Sequence, residues 1–169
     1  MQRLSTAREN ALHAWIQAIL TGVTVIWEHE GGQRPNAPFA SLDIIAGPQS
    51  TGPGEQRWDA EDTFAHALRK LATLSVSTFG DNALVMAVAV EDALQLPTHQ
   101  TTLRQAGFAV WGHDGPRDIT ALMDTQHEGR AVIDIFIAWA EAATDTPGEI
   151  HKVGISSGVC DQTITIEVE

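Results

Sequence analysis

A chain of 169 residues has the length of one ordinary domain and buries enough surface to hold together without disulfides or metals. With 43% hydrophobic and 19% charged residues it is not a disordered chain, and its lone cysteine, Cys160, excludes an intrachain disulfide and any cysteine-built metal centre. The net charge of −12, with only Arg69 and Lys70 adjacent among the basic residues, opposes phosphate-backbone binding, which needs clustered cations to displace counterions. Solubility alone accounts for the acidity.

The first predicted element is a helix. Thr6-x-x-Glu9 has the form of a capping box, and Leu12, Trp15, Ile16, Ile19 and Leu20 follow at helical spacing up to a stop at Gly22. Residues 23–29 are β-branched and aromatic and read as a strand. The punctuated stretch Gly31-Gly32-Gln33-Arg34-Pro35-Asn36-Ala37-Pro38 then breaks the chain before a second strand at 39–46. From Gly47 to Asp62 the Gly-Pro pairs and polar composition predict a long loop insert, with Trp58 in it as an anchor or a partner contact. Residues 64–68 suit either helix or strand, whereas Leu74, Val76 and Thr78 alternate with Ser75 and Ser77 as in a half-buried strand.

Asp81 is placed to cap a helix over 82–94 that carries two apolar stripes. One is Ala83, Met86, Ala87, Val90 and Leu94; the other is Leu84, Val85 and Val88. A helix with two apolar faces asks for a second partner besides its own sheet. A short helix at 97–106 and a strand at 108–113 follow, and Gly115-Pro116 turns the chain into 117–122. The strongest β signal is 130–141, where Ile133, Ile135, Ile137 and Trp139 share one face and Val132, Asp134 and Phe136 the other. Burying those first four side chains contributes about 6–12 kcal/mol in gross transfer energy. A strand at 149–155 precedes a tail, 163–168, in which Ile164, Ile166 and Val168 alternate with Thr165 and Glu167. Such a terminal strand must pair with an edge of its own sheet or of another chain.

No segment approaches the roughly 20 apolar residues of a membrane span; the longest apolar run is 83–90. The N-terminus leads into a charged helix instead of a signal-peptide core, so assembly in a cytoplasm is expected. Seven histidines include no pair at helical ligand spacing and no His-Glu-x-x-His. Asp114, Asp118, Asp124 and Glu128 form an acidic cluster whose spacing is not that of a calcium loop. Nucleophile elbows, P-loops and dinucleotide fingerprints are missing. No catalytic, metal or cofactor residue is assigned and no cofactor is expected. Asp134 stands out as a carboxylate in an apolar strand, with an Arg as its expected partner; a small hydrolase using Asp134 with His113 or His127 is the enzymatic alternative.

The order of elements carries more information than any single residue. A helix containing Trp15 leads to Val25-Ile26-Trp27 and then to Gln33-Arg34-Pro35-x-x-Pro38-Phe39. After the polar excursion come Leu74-Ser75-Val76-Ser77-Thr78-Phe79-Gly80 and a helix, then Arg117-Asp118-Ile119-Thr120-Ala121-Leu122 and Glu128-Gly129-Arg130-Ala131-x-x-Asp134. This pattern resembles the neck or tail-terminator proteins of long-tailed bacteriophages and prophages.

The resemblance implies an α/β (α+β) fold with a single mixed, largely antiparallel sheet flanked by two or three helices. The terminator-like domain would span 1–156, with the loop insert at 47–62, followed by an extension at 157–169 carrying the terminal strand. It further implies a structural virion protein without enzymatic activity. Such a protein forms a homohexameric ring at the head-proximal end of the tail tube, ends tube polymerisation and joins the head-side connector. DNA would pass through the lumen without specific binding. A different head–tail connector ring is the nearest alternative. Trp58, Leu84, Val85, Val88, Ile164, Ile166 and Val168 are the expected contacts with other copies or partners.

Overall fold

The computed structural model describes residues 4–52, 54–58, 64–123, 126–145, 152–156 and 163–167. They fall into two compact units, Met1–Pro53 with Leu68–Glu141, and Gly54–Ala67 with Ala142–Glu169. In chain order the elements are α1 (Thr6–Ile19), β1 (Thr24–Trp27), β2 (Phe39–Ser50), β3 (Glu55–Trp58), β4 (Phe64–Phe79), α2 (Ala83–Gln95) and α3 (Pro97–Gln105). Then come β5 (Phe108–His113), β6 (Arg117–Asp118), β7 (Ala121–Met123), β8 (Gln126–Glu128), β9 (Arg130–Asp145), β10 (Lys152–Ser156) and β11 (Thr163–Glu167).

Among the described residues the main sheet runs β1-β2-β4-β9-β5, with β3 added to β4 and β6 to β9. Only β1 against β2 is parallel among the registers of this sheet; β2 with β4, β5 with β9 and β6 with β9 are antiparallel. Gly80 N–H donates to Gly129 O at 2.9 Å, so the end of β4 meets the start of β9 and these neighbours also run antiparallel. The sheet is mixed and largely antiparallel, as the sequence leads one to expect.

Alternation sets which side chains are covered. Ala40, Leu42 and Ile44 of β2, Leu74 and Val76 of β4, and Ile133, Ile135, Ile137 and Trp139 of β9 are buried in one cluster. Leu12, Trp15 and Ile16 of α1, Met86, Ala87, Val90 and Leu94 of α2, and Leu103 of α3 close it from above. One face of the sheet is thus sealed by three helices. Thr78 Oγ1, buried at the end of β4, donates to Ala83 O at 2.8 Å and pins the first residue of α2.

Several expectations are corrected. The stretch 47–62 is not simply a loop: β2 continues to Ser50, and Glu55–Trp58 pairs antiparallel with the start of β4, Trp58 opposite Phe64. The Gly47-Pro48 pair marks a bulge. Opposite β4 the register passes from Ala46↔Thr73 to Gln49↔Leu71, three steps against two, and Gly47 at φ 86° absorbs the extra residue. The ambiguous 64–68 segment is strand. The terminal strand neither joins the main sheet nor stands unpaired, since β11 pairs antiparallel with β10, Ile164 opposite Ile155 and Ile166 opposite Val153. The nearest strand in sequence satisfies its backbone at the lowest loop-closure cost.

Helix starts also differ from expectation by one residue. Ser5 is the N-cap of α1 without a side-chain cap bond, and Glu9 instead turns inward, its Oε2 3.7 Å from His29 Nε2. Asn82, not Asp81, caps α2. Cys160, Asp124 and Val168 lie outside the described residues.

Candidate functional site

Residues from several of the segments that carry the family resemblance meet at one end of the main sheet, where β2 starts and β4 ends. Phe39 opens β2 and Phe79 closes β4; the register pairs them directly, and their rings stack at 4.4 Å with 7° between planes. Both are buried yet stand on the face away from the helices, one residue out of step with Ala40 and Thr78. Arg34 lies over both rings, its guanidinium carbon 5.1 Å from each centroid, and Arg130 lies 5.1 Å from the Phe79 ring. Arg34 also pairs with the Glu128 carboxylate. One guanidinium group within cation–π range of both stacked rings and a second within range of Phe79 make a cation–π clasp, with Arg34 paired to a carboxylate.

The glycines of these segments serve the same junction. A Cβ at Gly129 would collide with the Gly80 carbonyl, so the start of β9 reaches the end of β4 only without a side chain. Behind the clasp, Ile119 N–H donates to Arg130 O at 2.8 Å, and Asp118 Oδ1 accepts from Thr120 N–H at 2.9 Å and Thr120 Oγ1 at 2.6 Å. Those two bonds, side chain first, hold the Asp118 carboxyl below its ordinary value. Of the acidic residues grouped in the sequence, Asp118 closes a turn and Glu128 faces Arg34. Among the described residues no three His, Cys, Asp or Glu side chains are grouped to hold a metal.

Asp134 finds the arginine partner expected of it. Arg117, one strand over on β6, approaches Asp134 Oδ2 at 2.5 Å, while the buried Oδ1 has no hydrogen-bond partner among the described residues. His113 faces the other way, its Nδ1 3.7 Å from Glu91 of α2. Asp134 and His113 are therefore not brought together as an acid–base pair, because alternate residues of β9 project to opposite faces. The side chain of His127 is outside what is described.

Two apolar surfaces remain open in the first unit. On α2, Leu84, Val85 and Val88 are 42%, 67% and 39% exposed, while the opposite stripe of that helix is buried in the core. The five residues expected on the first stripe are buried, together with Ala93, which the sequence reading left out. On the far face of the sheet, Gln49, Leu71, Thr73, Trp111 and Phe136 line a groove of about 150 Å3. Trp111 is 67% exposed and sits where β5 slips one residue against β9, with Arg69 5.9 Å from its ring.

A family model described as a phage neck terminator protein matches residues 9–163, spanning every segment of the clasp. The chain belongs to that family. Among curated proteins, no match is found. Membership gives the neck terminator a structural role in the phage neck at the tail end, and a place in the virion. Of the contact residues expected from sequence, Leu84, Val85 and Val88 share one exposed helix face of the neck terminator. Trp58, Ile164 and Ile166 belong to the second unit, where only their backbone pairing is described. Sequence reasoning missed Arg34, Phe79 and Arg130 as a spatial cluster, and missed Trp111 with Phe136. Arg34 with Phe39, Phe79 and Arg130 stand in three separate segments of the resemblance, and no local spacing links them.

Proposed function

We propose that this neck terminator closes into a homohexameric ring on the head-proximal end of the tail tube. There it ends tube polymerisation and offers its other rim to the head-side connector. The genome slides through the lumen without specific binding, and no turnover chemistry is involved. The ring forms in the host bacterial cytoplasm before joining the tail.

One observation supports the ring above the rest: three adjacent aliphatic side chains stand exposed on α2 in a chain of net charge −12. Such a stripe on an otherwise acidic surface marks a protein contact. Rings arise when a contact between two different patches closes under rotation. Trp58, Ile164, Ile166 and Val168 in the second unit are the candidate contacts to tube or connector. A surface rich in carboxylates also suits a DNA conduit, because it repels phosphate.

Native mass measurement and electron microscopy of tail tubes mixed with the protein test this reading. A hexamer-sized species and a ring capping tube ends are expected. A monomer that never associates with tubes overturns it, and binding to portal-side complexes in place of isolated tube ends assigns the ring to a connector layer. Acidic residues confined to the outer wall of the ring would refute the conduit.

A further inference from the structure

We infer that the contact closing the ring is heterologous: the α2 stripe of one copy seats in the Trp111 groove of the next. The inference rests on the ring reading and names the two surfaces that make it. A heterologous contact requires two different, complementary patches on each subunit. The first unit carries both, on opposite sides of its sheet. Leu84, Val85 and Val88 project from the helix layer, and Leu71, Trp111 and Phe136 line a concavity on the face away from the helices. The groove, of about 150 Å3, has the size that accepts a benzene-sized apolar group, so a Val or Leu side chain fits.

Charge places the occupant more narrowly. Asp92 lies one turn beyond Val88 on the same face of α2 and is exposed; among the described residues it has no cationic partner. Arg69 stands exposed at the rim of the groove over Trp111 and likewise has no carboxylate partner among the described residues. Four residues of helix advance about 6 Å. The Arg69 guanidinium lies 5.9 Å from the Trp111 ring. With Val88 on Trp111 and the axis of α2 laid toward Arg69, Asp92 of one copy faces Arg69 of the next, an anion meeting a cation that each lack an ion-pair partner among the described residues. The second copy is the occupant because the stripe and the groove are both apolar and are flanked by charges of opposite sign, Asp92 beside the one and Arg69 beside the other.

The experiment uses the full chain. Val85→Asp breaks the stripe and Trp111→Ser the groove; each variant alone is expected to be monomeric by sedimentation velocity, with an unchanged circular dichroism spectrum. Mixed in equal amounts they are expected to form a dimer of one copy of each, since the mixture retains one intact stripe and one intact groove. Asp92→Arg and Arg69→Asp singly should each raise the concentration needed for half-assembly at least about tenfold. Their combination in one chain should restore it to within about threefold of the natural protein. Rings that persist in both Val85→Asp and Trp111→Ser overturn this contact while leaving the ring reading intact. So does a combined charge swap weaker than either single change. A natural chain that stays monomeric with tail tubes present overturns both.

Discussion

The two faces of the main sheet are made from alternate residues of the same strands, and they solve different problems. Toward the helices, β2, β4 and β9 present Leu42, Leu74, Val76, Ile133, Ile135 and Ile137, all buried in one apolar cluster. Away from the helices the cross-strand pairs are Phe39 with Phe79, Ser41 with Ser77 and Asp43 with Ser75, next to Asp134 and Phe136. The first face is held by the removal of hydrocarbon from water, which is non-directional and large. The second is held by directed contacts of small individual worth: a ring stack, guanidinium groups over rings, an ion pair and short turns. Folding rests on the first face. Arg34, Phe39, Phe79 and Arg130 lie on the second, where they shape the sheet's end.

The contrast is most sharply tested in the core. Ile135→Ala should cost about 2–5 kcal/mol by denaturant unfolding, through lost transfer energy and a cavity; a loss within error would show that the helix-covered face is not the foundation. Arg117→Ala comes next, at about 1–3 kcal/mol, because the Asp134 carboxylate is left buried without its cation, an effect moderated by the solvent exposure of Arg117. Arg117→Lys should recover part of that loss, and no recovery would mean packing, not charge, is what Arg117 supplies.

Arg34→Ala removes two ring contacts and the Glu128 pair together. Its cost should be about 0.5–1 kcal/mol, given the exposure of the guanidinium. A loss above about 2 kcal/mol would place the clasp among the structural determinants and erase the distinction between the faces. The smallest effect is on acid stability. Asp118 has a folded-state pKa lowered by Thr120, so its stabilising contribution is present above the ordinary value of 3.8 and fades as pH falls through the folded value. Asp118→Asn should make stability decline less steeply with acid in that window; a steeper decline would reverse the sign.

Local pattern carried much of this in the sequence. The alternation in β9, the bounds of β5 and the two stripes of α2 are each decided by residues within a few positions of one another, so the chain alone discloses them. Gly47-Pro48 misleads because a bulge and a chain reversal use the same residues; only the β4 partner, slipping from Thr73 to Leu71, tells them apart. The pairing of β11 depends on which backbone edge it reaches first, which side-chain alternation does not encode. Arg34, Phe79 and Arg130 are separated by about fifty residues at each step, and the groove joins β2, β4, β5 and β9. Both become visible only once strand order is known, although Arg34, Phe79 and Arg130 stand in segments already quoted for the family resemblance.

The slipped residue at Trp111 has a further consequence. β5 is the last strand of the sheet, and a straight margin there would present evenly spaced amides and carbonyls to any other copy. The one-residue slip between Val110 and Gly112 spoils that even spacing. Along this edge, copies of the chain crowded in an infected cell thus meet no even template on which to zip together, and encounters there are sorted by side-chain fit.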